Sequence, residues 1–272
     1  MLIIYSTFTE TSIAKLFVAG IVPGILLALM FMIYIAIHAL LVPGIVGKRE
    51  AAPTAPNRWK AVGDVCPLLT LIVATLGSIY MGLVTPTEAA AVGCCLAIGL
   101  SVVWGDLRWT TFRGALGHTV TISGNILFIV YAAYVFSHAM SIAGIGEKVT
   151  NFVIGLHLNR TEFLVALVIL FTVLGCLVES IGMIVVTVPL LYPILPQYGI
   201  DPIWFGIAVA MFIELGQISP PIGINLFVIQ SIWSGKLSDV VLGTIPFHLI
   251  MLVLLLLLMI WPEIALWLPS RM

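Results

Sequence analysis

Two short stretches of this 272-residue chain hold residue types able to bind a small ion inside an apolar protein. The first runs from Glu214 to Asn225, ELGQISPPIGIN. Pro220 and Pro221 have no N–H to give, so the carbonyls of Gly216 and Gln217, four residues earlier, are expected to lack intrahelical partners. Free carbonyl oxygens suit a hard cation such as Na+. Ser219, Gly223 and Asn225 flank the pair, and a helix restarting there turns its positive end toward the same point, which favours an anionic group. A proline-kinked span whose loose groups meet a neighbouring helix is the competing account.

The second stretch is Thr85-Pro86-Thr87-Glu88, set between two apolar runs. Thr85 as N-cap, Pro86 at the first helical position and Glu88 three residues after the cap form a capping-box pattern, which ordinary capping explains. The alternative is an interrupted helix at membrane depth that offers Thr hydroxyls, carbonyls near Thr85 and a carboxylate to Na+. The hydrophobicity on both sides weighs toward that alternative.

Glu179 and Glu214 are the other carboxylates within apolar runs. A charge at the bilayer centre costs at least about 2.5 kcal/mol on insertion scales, so each needs a partner, a wet cavity or a proton, unless it sits near an interface and points outward. His38, His118, His138, His157 and His248 show no ligand spacing and read as polar interface or core residues. Cys66, Cys94, Cys95 and Cys176 lie in apolar stretches without CxxC spacing, as small core residues. No nucleophile, Walker or Rossmann pattern is present, so no catalytic residue and no cofactor beyond a coupling ion is expected.

The elements that must position these groups are membrane helices. With 61% hydrophobic and 8% charged residues and a mean hydropathy of +1.21, the chain needs lipid as its solvent. A net charge of −1 gives no field for nucleic acid. Apolar helical runs are predicted at Ala14–Val42, Val65–Val84, Pro86–Trp104, Val120–Ile142, Phe163–Ile181 and Val240–Trp261, with an interfacial helix within Gly144–Leu158. The limbs of the proline hairpin, Pro202–Gln217 and Ile222–Trp233, extend about 24 and 18 Å against a hydrocarbon core of about 30 Å, so neither crosses and the pair is expected to be re-entrant. Gly47–Lys60, with Lys48, Arg49, Arg58 and Lys60 against Glu50, reads as a cytoplasmic linker. A faint internal echo is also present. Leu226–Ile229, Lys236-Leu237 and Gly243–Pro246 follow one another with almost the same offsets as Leu2–Tyr5, Lys15-Leu16 and Gly20–Pro23, although Gly-x-x-Pro is common in membrane helices.

Thr85 to Gly93 (TPTEAAAVG), Gly175 to Ser180 (GCLVES) leading to Val188-Pro189 and Tyr192-Pro193, Gly199 to Gly206 (GIDPIWFG) and Glu214 to Asn225 together resemble the large membrane subunit of TRAP transporters, of the C4-dicarboxylate DctM type. The resemblance covers the whole chain. It implies an all-α integral membrane protein, a multi-span helical bundle with a re-entrant helical hairpin, forming the second inverted repeat of an elevator-type transporter. It further implies Na+-coupled uptake of small organic acid anions across a bacterial or archaeal inner membrane, with a DctQ-like small membrane subunit and a DctP-like periplasmic binding protein as partners. On that resemblance residues 1–46 are the tail of a first repeat and 47–60 a linker. Residues 61–272 are then the second repeat, with an interrupted helix near 85–88 and the hairpin over 202–233. Thr85, Pro86, Thr87 and Glu88 fall on the family's interrupted element, and Ser219, Pro220, Pro221, Gly223 and Asn225 on its hairpin tip.

The departure is at the front, where Met1 falls just after the place a first hairpin tip would occupy. The chain is therefore expected to be incomplete and inactive without a chain supplying the other half. A non-transporting remnant or assembly subunit, and another two-hairpin ion or anion carrier, are the alternatives.

Overall fold

A computed structural model describes residues 1–42, 58–105, 107–220, 223–233 and 235–272. Pro221, Ile222 at the start of the expected second hairpin limb, and residues 47–57 of the expected linker lie outside the described residues. Helices account for every regular element among them: α1 (Leu2–Thr9), α2 (Ile13–Leu41), α3 (Arg58–Tyr80), α4 (Pro86–Val103), α5 (Trp109–Ile142), α6 (Ile145–Gly155), α7 (Arg160–Gly175), α8 (Ser180–Leu191) with a 3-10 extension at Tyr192–Tyr198, α9 (Pro202–Gln217), α10 (Ile224–Ile232), α11 (Leu237–Ile260) and the short α12 (Glu263–Leu266). Five of these are long and apolar enough to cross a membrane, namely α2, α4, α5, α8 with its extension, and α11. The protein is an all-α multi-span membrane protein. Its lipid-facing character shows on the surface, where Leu40 is 80% exposed and Val73 is 68% exposed; apolar side chains stand outward because the surrounding phase is apolar too.

Several expected boundaries hold within a few residues, and α9 begins and ends where its proline and proline pair predict. Three differ. The single span expected over Phe163–Ile181 is two helices, because α7 stops at Gly175 and α8 starts afresh at Ser180, with Glu179 capping it. Helix α5 begins at Trp109 rather than Val120, so its polar first turns are helical. The second hairpin limb is nine residues, Ile224–Ile232, about 14 Å long and shorter still than expected. Residues 58–60, assigned to the linker, already belong to α3.

The chain divides into two compact units, Met1–Met32 with Gly124–Met272, and Ile33–Ser123. In the larger unit α9 is the central element, buried from Trp204 to Gln217 almost without interruption. Asp201 starts it, its carboxylate accepting from the N–H groups of Ile203 (2.8 Å) and Trp204 (3.1 Å). The Tyr5 hydroxyl donates to the Pro202 carbonyl at 2.6 Å, and the Trp204 indole N–H to the Leu258 carbonyl at 3.1 Å. These bonds tie α1 and α11 to the same helix. Phe171, Phe205, Phe212, Met183 and Leu254 fill the surrounding core. Burying this much of a 16-residue helix makes it a protein-facing element rather than a lipid-facing span.

In the smaller unit α3 and α4 pack together around the turn at 81–85. A Cβ on Gly93 would lie 3.1 Å from Thr75 Oγ1, and Ala89 is fully buried, so small residues on α4 permit the close approach.

Candidate functional site

Two helix breaks meet in the larger unit. Helix α7 ends at Gly175 and α9 ends at Gln217, and the two helices touch backbone to backbone at that level. A Cβ on Gly175 would lie 2.6 Å from Gly216 Cα, and one on Gly216 would lie 2.7 Å from both Gly175 Cα and the Phe171 carbonyl oxygen. Only glycine at both positions allows this contact, which brings two sets of terminal main-chain groups together.

Polar side chains fasten the junction. The Gln217 amide donates to Ser180 Oγ at 2.7 Å, and the Cys176 thiol is 3.6 Å from the Ser219 carbonyl and 3.4 Å from that of Pro220. From the restart of the second limb, Asn225 Nδ2 reaches Glu214 Oε2 and Gln217 Oε1, each at 3.4 Å. Ser219 Oγ donates to the Leu215 carbonyl at 2.6 Å and lies 2.8 Å from His248 Nε2 on α11. Gln217 and Ser219 are each only 5% exposed, so at such burial these contacts take the place of water. Gly223 sits in the left-handed region at φ 51. A Cβ there would stand 2.9 Å from the Ser219 carbonyl and 3.1 Å from that of Gln217, so the tip oxygens close in on a residue without a side chain.

The result is a cluster of oxygens from Gln217, Ser219, Pro220 and Glu214, facing a break that contributes Ser180. Carbonyl, amide and carboxylate oxygens of this kind suit a hard monovalent or divalent cation. Among the described residues no group of three His, Cys, Asp or Glu side chains could hold a metal ion, so the donor set does not suit a soft transition metal.

Of the residues expected from sequence, Glu214, Gly216, Gln217, Ser219, Pro220, Gly223 and Asn225 are brought to this junction. The Gly216 carbonyl is not left unpaired as expected: it accepts from the Ser219 N–H at 3.1 Å, a tighter turn that forms where the proline pair stops the regular ladder. Glu179 is exposed; its carboxylate accepts from the Ile181 N–H and the Ser180 hydroxyl, each at 3.1 Å. It serves as the cap that restarts α8.

Thr85, Pro86, Thr87 and Glu88 lie in the smaller unit. The Glu88 N–H donates to Thr85 Oγ1 at 3.3 Å, while Glu88 Oε2 accepts from the Thr85 N–H at 2.8 Å and from the Thr85 hydroxyl at 2.9 Å. This is a complete capping box with Pro86 at the first helical position. Three residues at the junction, Cys176, Ser180 and His248, were not singled out from sequence as site residues. The available signal was a glycine followed by capping residues inside an apolar run, Gly175 to Ser180.

A cavity of about 560 Å³ lies elsewhere, between α5, α6 and α8, with Glu147 its one charged lining residue. Volume alone gives it no chemistry comparable to the paired breaks. A smaller cavity of about 270 Å³ borders the junction beside Ser219 and His248.

The family described as tripartite ATP-independent periplasmic transporter, DctM component, matches residues 1–264. The C4-dicarboxylate TRAP transporter large permease protein DctM of Pseudomonas aeruginosa is 34% identical over 273 residues, covering 99% of this chain and 63% of that protein. The ectoine TRAP transporter large permease protein TeaC of Halomonas elongata is 32% identical, covering 98% of this chain and 62% of its own length. The sialic acid TRAP transporter large permease protein SiaM of Vibrio cholerae is 28% identical, with 99% of this chain and 62% of that protein covered. The chain thus spans less than two thirds of the curated relatives it matches.

Proposed function

The chain belongs to the DctM family of tripartite ATP-independent periplasmic transporters, and on that premise we propose that it forms the ion-binding part of a large permease that couples Na+ entry to uptake of small organic anions. The observation that carries this reading is the contact between Gly175 and Gly216, which sets two helix ends against each other and gathers the Gln217, Ser219 and Pro220 oxygens beside Ser180 and Glu214. In this reading the paired breaks form a re-entrant hairpin tip at membrane depth. Backbone left irregular there is tolerated when it lines a cavity or binds an ion.

The mechanism follows from which groups are satisfied by what. Main-chain oxygens at the tip replace the hydration shell of a sodium ion, and bound sodium in turn holds the tip against the α7–α8 break. Helix α10 starts immediately after Gly223 and directs its positive end toward the tip, where a carboxylate on the cargo would be stabilised. Cargo then binds well only when sodium has ordered the tip, which is thermodynamic coupling between the two ligands. The capping box at Thr85–Glu88 is proposed to hold the start of α4, because its hydroxyl and one carboxylate oxygen are already engaged.

C4-dicarboxylates are the first cargo to test, since the relative named for them has the higher identity of the three described. The ectoine and sialic acid names leave the wider class as carboxylate-bearing small molecules. A DctQ-like small membrane subunit, a DctP-like periplasmic binding protein and an inner-membrane location complete the proposal. Transport is assigned to the complete permease length, of which this chain covers the larger part.

Vesicles containing the permease with its small subunit, supplied with the binding protein and a labelled C4-dicarboxylate such as succinate, test the reading. Uptake that rises with an inward Na+ gradient and collapses when that gradient is dissipated is expected. Uptake indifferent to Na+ would overturn the coupling.

A further inference from the structure

We propose that His248 is a positioning residue for the ion site: its Nε2–H holds the Ser219 hydroxyl, and through it the carbonyls of the tip, in the geometry that binds sodium. The inference rests on the cation reading above and adds to it a residue from a different helix.

Ser219 Oγ lies 2.6 Å from the Leu215 carbonyl and 2.8 Å from His248 Nε2. A carbonyl can only accept, so the single hydroxyl proton goes to Leu215. Nε2 must then donate, which assigns His248 the Nε2–H form. An Nε2–H is present in both that neutral tautomer and the imidazolium, so the bond does not depend on protonation.

Ser219 is 5% exposed, and its own carbonyl lies at the junction, 3.6 Å from the Cys176 thiol. Fixing the Ser219 side chain between Leu215 and His248 fixes the rotamer and the direction of that carbonyl. The pocket around this contact is otherwise apolar apart from Thr172, with Val168, Val173 and Leu252 on its walls. The Thr172 hydroxyl donates to the Val168 carbonyl at 2.7 Å and so has no proton to give in place of the imidazole. His248 lies on α11 and Ser219 in the tip, so the bond couples the tip to a neighbouring helix rather than to its own limb.

Cys176 reports on the tip without requiring transport. It is buried against the tip carbonyls, whereas Cys66, Cys94 and Cys95 are exposed. In membranes carrying the protein with those three changed to Ser, maleimide labelling of Cys176 should slow as Na+ is added, and the half-protective Na+ concentration is the readout. His248→Ala is expected to raise that concentration roughly five- to thirtyfold, as losing one positioned buried hydrogen bond should. His248→Gln, whose amide donates from a similar reach, is expected to restore it. Ser219→Ala should match His248→Ala, and the double variant should be no worse than either single, since both remove one contact.

Absence of sodium protection in the parent protein would overturn the cation reading itself. Normal protection in the parent together with an unchanged half-protective concentration in His248→Ala, or failure of His248→Gln to restore it, would overturn the role of His248 alone. If His248→Ala does not accumulate in the membrane, Ser219→Ala removes the same contact from the other side, and a parent-like value there also overturns the proposal.

Discussion

Replacing Gly175 with alanine tests whether the two helix breaks work as one site. The added Cβ would stand 2.6 Å from Gly216 Cα, 2.9 Å from Gly216 C and 3.3 Å from Gln217 N. All three are backbone atoms, so no rotamer change can clear the clash. Ordinary carbon contact is about 3.5–4.0 Å, so α7 and α9 must separate locally by about 1 Å. That displacement stretches the 2.7 Å Gln217–Ser180 bond to about 3.7 Å, beyond hydrogen-bonding range. Overpacking of this kind costs about 1–3 kcal/mol, which a membrane protein with this much buried apolar surface is expected to survive. The expected result is a protein that inserts and accumulates, with half-saturating Na+ raised tenfold or more, corresponding to about 1.4 kcal/mol. Gly243→Ala is the matched control, because nothing lies within 4 Å of the new methyl and alanine favours helix by about 0.5–1 kcal/mol. Sodium-dependent uptake and Cys176 protection measured side by side decide the matter. Unchanged sodium dependence in Gly175→Ala would refute the claim that this backbone contact builds the site.

Gly223→Ala combines a left-handed backbone at φ 51 with a Cβ 2.9 Å from the Ser219 carbonyl. It should cost about 1–3 kcal/mol and weaken Na+ protection of Cys176 at least as much as Gly175→Ala does. Tyr5→Phe leaves the Pro202 carbonyl without its 2.6 Å donor, and the detergent-solubilised protein should lose about 1–2 kcal/mol in thermal unfolding with its sodium dependence intact. Thr85→Ala removes a capping box worth about 0.5–2 kcal/mol. It is expected to lower stability alone, and a raised half-saturating Na+ in that variant would show instead that the Thr85–Glu88 turn shares in ion binding.

The residues differ in how much of the site they disclosed from sequence, and the difference has a physical cause. The break after Gln217 was legible because two adjacent prolines remove two donors, a covalent fact that no tertiary context can reverse. The helix limits of α9 followed from the same logic at Asp201-Pro202. The break after Gly175 carries no such mark: Leu177 and Val178 continue the apolar run, and glycine within a membrane helix is common. What marks Gly175 is its packing against Gly216, a contact between residues 41 positions apart (216 − 175). His248 was hidden for the same reason, its partner lying 29 residues away in a helix with no polar periodicity to reveal which face meets the protein.

Covalent signals therefore located one half of the site and packing located the other, which has a consequence for how the site binds an ion. A tip defined by prolines alone would be an isolated loop with several main-chain oxygens and no fixed geometry. The glycine contact, the Gln217–Ser180 bond and the Ser219–His248 bond each remove one freedom of that loop, from three different helices. Preorganised oxygens lose less conformational entropy when sodium arrives, so affinity depends on these neighbours as much as on the ligating atoms. Substitutions at Gly175, Ser180 and His248, none of which supplies a tip carbonyl, should therefore alter sodium affinity. Exposed Glu179, which caps α8 through the Ile181 N–H and accepts from the Ser180 hydroxyl, should matter less: Glu179→Gln keeps an acceptor for both donors and is expected to leave half-saturating Na+ within about twofold of the parent, since cap changes of this kind are worth only a few tenths of a kcal/mol. A tenfold shift there would place the carboxylate charge itself in the ion site.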